Sequence, residues 1–174
     1  MNINFKKIKN TIIFSIVLLL FGCNTPSEKH LELEAAQASL DKNLEMYKKV
    51  WDEIFNNRNL DLINEESFDA NVVALATSDG DIEGLENFKA YYSNYIIGFS
   101  DAELIFVDLF GQGDKMVKHW RFKGTHDGLF FGVPATGKKV DISGTTLIKM
   151  KDGKIAEEQD FMDFLSFYTQ LGLM

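Results

Sequence analysis

Four acids crowd one short stretch near the C-terminus, Glu157, Glu158, Asp160 and Asp163. A carboxyl group taken out of water holds its proton more tightly, and near neutrality it can both give and take one. The same run could equally be a solvated charged face. Asp160 and Asp163 are three residues apart, so on a strand they point to opposite faces and cannot act as a pair. Other chemistries find little support. His30, His119 and His126 show no metal-ligand spacing, and Cys23 is the only cysteine. There is no nucleophile elbow with Ser, His and Asp, and no glycine-rich phosphate loop. No metal and no cofactor are therefore expected. The formal net charge of −8 makes nucleic acid a poor partner, since an acidic surface repels phosphates.

The acids must be positioned by a hairpin. Asp152-Gly153 joins two strand-like runs, Lys139–Met150 and Ile155–Asp163. A two-residue turn places Thr145 opposite Asp160, and one extra loop residue places Thr146 there. Either hydroxyl can hydrogen-bond a carboxylate, and neither can serve as a base at neutral pH. Upstream, Gln112-Gly113-Asp114 turns Ala102–Phe110 into Lys115–Lys123. On that second run Trp120 and Phe122 share one face, and His119 and Arg121 the other. Trp120 is a pocket wall or a core residue, and Arg121 could pair with an acid of the last strands. Ala102–Phe110 is apolar on both faces, whereas an open sheet covers only one with its own helices. Homodimers through the outer face are therefore expected.

Helices come before this run of strands. Thr25-Pro26-Ser27-Glu28 has the form of a capping box. Leu33, Ala36, Leu40, Leu44, Tyr47, Trp51 and Ile54 then recur at three- and four-residue steps, one helical stripe ending near Asn56-Asn57. Asn59 to Phe68 reads as a short second helix, Val72–Ala76 as a strand, Leu85–Ile97 as a helix and Phe164–Leu171 as a closing helix. Helices first and antiparallel strands after argue for an α+β fold. Aromatic residues make up 13% of the chain, with 15 Phe, which suits an aromatic-lined cavity or a Phe-rich core.

The first residues read differently. Lys6, Lys7 and Lys9 precede an 11-residue apolar run, Thr11–Phe21, and then Gly22-Cys23. A charged start, a short apolar segment and a small residue before the cut are the parts of an export signal. The run is well short of the roughly 20 residues a membrane-spanning helix needs. Residues 1–22 are thus expected to be a signal peptide, and Leu20-Phe21-Gly22-Cys23 resembles a lipobox. Cys23 would be the acylated first residue of an envelope-anchored protein. Residues 23–38 would be a tether or the start of the first helix, and 39–174 one domain.

Two stretches carry a family resemblance. Gly124-Thr125-His126-Asp127-Gly128 with Gly132-Val133-Pro134-Ala135-Thr136-Gly137 is the first. Asp152-Gly153-Lys154-Ile155-Ala156-Glu157, running through Asp160 and Asp163 to Gln170-Leu171-Gly172, is the second. Both resemble the SnoaL-like polyketide or ester cyclases. The resemblance implies the nuclear transport factor 2-like fold, a curved antiparallel sheet wrapped around N-terminal helices into a cone with a deep pocket. It implies that Asp160 is the acid/base of an intramolecular aldol closure on a small apolar carbonyl or ester compound. Cyclases of the family carry a His on the preceding strand where this chain has Thr146. His126 matches the family's loop His, and would hydrogen-bond a substrate carbonyl or hold the loop closed. Leu129, Phe130 and Phe131 could form an apolar lip or equally pack on the core, with Trp120, Thr145, Thr146, Glu158 and Met162 around the pocket. The same pocket in a tethered, non-catalytic ligand-binding lipoprotein is the alternative.

Overall fold

The computed structural model describes residues 27–77 and 80–174. The expected signal peptide and Cys23 lie outside the described residues. Contacts divide the chain between Ala35 and Ala36, and the sheet, core and pocket all belong to the unit from Ala36 onward.

Helix α1 spans Glu28–Asn56. Ser27 caps its start: the Ser27 hydroxyl accepts from the His30 N–H at 3.3 Å, while Thr25 and Pro26 of the expected capping box lie outside the described residues. The apolar stripe is buried only from Leu40 onward, through Tyr47, Val50, Trp51, Ile54 and Phe55, while Leu44 is half-buried and Leu33 is exposed. The Asn56 amide closes the helix by bonding both backbone groups of Leu104, at 2.8 and 3.0 Å. The expected helix over Asn59–Phe68 is reduced to one 3-10 turn, Leu60–Leu62. Asn64 explains why. Its side chain accepts from Glu66 N–H and its carbonyl from Phe68 N–H, local bonds that compete with a helix.

From Phe68 the chain builds a six-stranded sheet: β1 Phe68–Thr77, β2 Gly80–Glu83, β3 Glu103–Gln112, β4 Lys115–Thr125, β5 Lys139–Lys151 and β6 Lys154–Met162. Helix α2, Leu85–Gly98, separates β2 from β3, and α3, Phe164–Leu171, closes the chain. The strand order is β2-β1-β6-β5-β4-β3, so the sheet is open at both ends. Four neighbour pairs are antiparallel, and β1 with β6 is parallel. This is the expected α+β architecture, a curved sheet with helices against its concave face. Even-numbered residues of β4 and β5 point inward in strict alternation, Met116, Lys118, Trp120 and Phe122 on one, Ile142, Thr146, Ile148 and Met150 on the other. Against them α1 and α2 set a dense aromatic layer, with Trp51 and Tyr92 ring centres 4.6 Å apart and Phe88 4.7 Å from Tyr92.

The register at the last hairpin decides which threonine faces Asp160. Asp152 and Gly153 take positive φ, the two-residue turn expected, and Lys151 pairs with Lys154. Ala156 then bulges out, so that Lys149 pairs with Glu157 and Thr146, not Thr145, stands opposite Asp160. The extra residue sits in the strand rather than in the loop.

Candidate functional site

The concave face of the sheet and the two long helices enclose a pocket of about 60 Å³. Phe55, Leu104, Trp120, Phe122, Ile142 and Met162 make it apolar, and Tyr91, Tyr92 and Tyr95 of α2 form one side. Three charged side chains face it: Lys118, Glu158 and Asp160. The sheet register places them. Lys118, Thr146 and Asp160 lie in one cross-strand row over β4, β5 and β6, while Glu158 stands in the next row, opposite Ile148 and Ala74.

Among the described residues Glu158 is the most secluded acid, with 1% of its surface exposed. Its Oε1 accepts from the Tyr47 hydroxyl and from Trp51 Nε1–H, the latter at 3.0 Å. Burial pushes its pKa up to about 7, and the charge of Asp160 pushes the same way. The Lys118 ammonium and the Tyr47 and Tyr92 hydroxyls pull against that rise. Burial, with the two carboxyls beside them, holds the Tyr47 and Tyr92 hydroxyls well above the ordinary tyrosine range, so both remain donors.

Asp160 is half-buried on the pocket wall. Thr146 Oγ1–H donates to its Oδ1, and Trp120 Nε1–H donates to Thr146 Oγ1 at 2.9 Å. The Tyr92 hydroxyl joins the two acids, 3.0 Å from Glu158 Oε2 and 3.2 Å from Asp160 Oδ2. One hydroxyl has one proton to donate. Both contacts can be hydrogen bonds only when one of the two carboxyls carries a proton and donates it to Tyr92, which donates to the other; Glu158, whose proton burial holds more tightly, can be that donor. The group can therefore store a proton at Glu158 and present a hydrogen-bonded carboxyl at Asp160 to a ligand, which is the equipment of general acid/base chemistry.

Of the residues singled out in the sequence, Trp120, Glu158, Asp160 and Met162 line the pocket, and Thr146 is buried behind Asp160. Thr145 does not reach it, because alternation turns it to the convex face opposite Phe161. Neither Phe130 nor Phe131 lines the pocket itself: Phe130 packs in the core against Phe99, Tyr95 and Phe167, and the exposed Phe131 rests on the pocket-lining Tyr91 and Tyr95. His126 is fully buried away from the pocket. Its Nδ1 meets the Thr136 hydroxyl at 3.1 Å and accepts from Thr136 N–H at 3.3 Å, while its backbone pairs with Gly137 and Lys138. It holds the loop closed. Arg121 pairs with Asp141 on β5, a structural contact. Lys118 and Tyr92 escaped the sequence reading, and Tyr47 and Trp51 were read only as core residues of a helical stripe. Lys118 was legible, since it sits two residues before Trp120 on a strand whose alternation was already visible. Among the described residues no cluster of His, Cys, Asp or Glu is arranged to hold a metal ion. None of the described helices is long and apolar enough to cross a membrane.

The SnoaL-like polyketide cyclase family model matches residues 44–171. Aklanonic acid methyl ester cyclase DnrD of Streptomyces peucetius is 32% identical over 93 residues, which span 53% of this chain and 64% of that enzyme. A solved protein from Jannaschia sp. CCS1, assigned to the SnoaL-like polyketide cyclases, superposes with a TM-score of 0.70 at 27% identity, over 77% of this chain and 94% of its own. TsrD from Streptomyces laurentii shares the fold with a TM-score of 0.66 at 23% identity, over 79% of this chain and 97% of its own.

Proposed function

The chain belongs to the SnoaL-like polyketide cyclase family, and we propose that it binds a small apolar carbonyl or ester compound and moves a proton on it through Asp160. The observation that carries this reading is the position of Asp160. Its carboxyl lies on the wall of an apolar pocket, held by Thr146 and Tyr92, with a proton store at Glu158 behind it. Ring closure by an aldol route needs a proton taken from a carbon beside a carbonyl and one delivered to the new alkoxide. Asp160 Oδ2 takes the first, and the carboxyl so formed gives it back. Thr146 stands where cyclases of the family have a His, so it orients the carboxylate and supplies no base. That substitution favours the second reading, a binding protein without turnover.

The same proposal places the protein at the bacterial envelope, exported by residues 1–22 and anchored through an acylated Cys23. It also pairs two copies through the convex face of the sheet, where Phe110, Leu147 and Phe161 are each about half exposed. Mass spectrometry of small molecules released from the purified full-length protein tests the ligand. A carbonyl or ester compound that also copurifies with Asp160→Asn is expected. Release of no such compound, together with no binding of simple aryl ketones or esters, would overturn the reading. A ligand left chemically unchanged by both proteins would select the binding protein over the enzyme.

A further inference from the structure

Lys118 is 5% exposed and points into the pocket. Its Nζ lies over three rings, 5.2 Å from the centre of Trp51, 5.3 Å from Tyr47 and 5.8 Å from Phe106. It makes no hydrogen bond and no ion pair with any described residue. Ring faces attract a cation, but they do not replace the water and counter-charge a buried ammonium gives up. Two acids share the pocket with Lys118, Asp160 in its own cross-strand row and Glu158 in the next, where the Lys118 charge works against the rise that burial causes, and neither forms an ion pair with it. The other groups turned toward it are the Tyr47 and Tyr92 hydroxyls, which stay neutral.

We propose that Lys118 is the docking point for an anionic oxygen of the ligand, so that the pocket takes carboxylates whose apolar body reaches toward Asp160. This rests on the reading that the pocket holds a small carbonyl compound, and it adds the charge that compound carries. The register supports the length required. Lys118 and Asp160 are two strands apart in one row, with Thr146 between them, so their backbones stand about 10 Å apart. Lys118 and Asp160 form no ion pair, so a carboxylate on Lys118 can leave a carbon a few bonds away for the Asp160 carboxyl. Trp120, Phe122 and Met162 line the space between for the apolar part. A neutral ligand would leave the buried ammonium as it is, and an anion gives it a partner where water is excluded.

Binding of 3-phenylpropanoate and of its methyl ester to the full-length protein separates the outcomes. The two differ in charge and hardly in shape. The chain's two tryptophans, Trp51 and Trp120, report binding through their fluorescence. The acid should bind about tenfold or more tightly than the ester. Lys118→Met keeps an apolar stem over the three rings and removes the charge. It should lose about tenfold or more for the acid and change the ester by less than about threefold. Lys118→Arg, which keeps the charge if the smaller change folds better, should retain the preference for the acid. If the ester binds as well as the acid, or the preference survives in Lys118→Met, the proposal is wrong and the carbonyl pocket stands. If neither compound binds the unaltered protein, the pocket reading falls and takes the proposal with it.

Discussion

Glu158→Gln should turn a pH-dependent fold into a pH-independent one over a defined window. Gln has the shape of protonated Glu. Its oxygen can accept from Tyr47 and Trp51, and its amide can donate to Tyr92, which then donates to Asp160. The native carboxyl has a pKa near 4.5 when solvated and about 7 in the fold. The folded state therefore binds the proton more tightly than the unfolded one. Its contribution to stability is fully present below about 4.5 and declines as pH rises, levelling off above about 7. At about 1.4 kcal/mol for each tenfold change in proton affinity, ionising Glu158 costs the fold about 3 kcal/mol. Thermal or urea unfolding of both proteins from pH 4 to pH 8 reports this group and its coupling to Asp160 and Lys118, because titrations that do not interact with Glu158 cancel in the difference. The Gln variant should match the native protein at the acid end and exceed it at pH 8 by up to about 3 kcal/mol, roughly 10 °C in Tm for a domain of this size. A difference that does not change with pH, or a Gln variant less stable at pH 8, would refute the reasoning and make Glu158 a paired, ionised structural group.

Gly144→Ala should destabilise by about 1–3 kcal/mol in urea unfolding, since a β-carbon there would meet the Trp120 ring at 2.3 Å and the Phe161 carbonyl oxygen at 2.7 Å. The same variant should loosen Asp160 by displacing Trp120 from Thr146, and an undisturbed Trp120 fluorescence would contradict that. Cys23→Ser should abolish fatty-acid labelling and membrane association in cell fractionation, whereas a labelled, membrane-bound Ser variant would remove the anchor. Phe161→Asp should turn a dimer into a monomer in sedimentation, and a native protein already monomeric at high micromolar concentration would rule out the convex-face pairing.

Much of the fold was legible because its signals are local. The Trp51 stripe, the Asp152-Gly153 turn and the alternation around Trp120 each depend on neighbours within a few residues. The pocket was legible only in part, because it is made by register and by helix docking. A one-residue bulge at Ala156 decides that Thr146 rather than Thr145 bonds Asp160, and nothing in a two-residue turn announces it. The sequence could place Glu158 at the pocket, but not show its seclusion. That emerges when Tyr47 and Trp51, more than 100 residues earlier, are laid over it. Phe130 was ambiguous for the opposite reason. An aromatic residue in a loop beside a pocket is as easily drawn into the core, and Phe99 and Phe167 provide one.

The central claim is that Asp160 moves a proton on a carbonyl compound held in this pocket. Proton NMR of 4-phenylbutan-2-one in deuterated buffer tests it most directly, by following loss of the hydrogens beside the carbonyl. The native protein should exchange them faster than buffer alone, and Asp160→Asn should lose about 10²–10⁴-fold of that rate while keeping its fold and its affinity for the ketone. Exchange no faster than buffer, or equally fast with Asp160→Asn, would contradict the account.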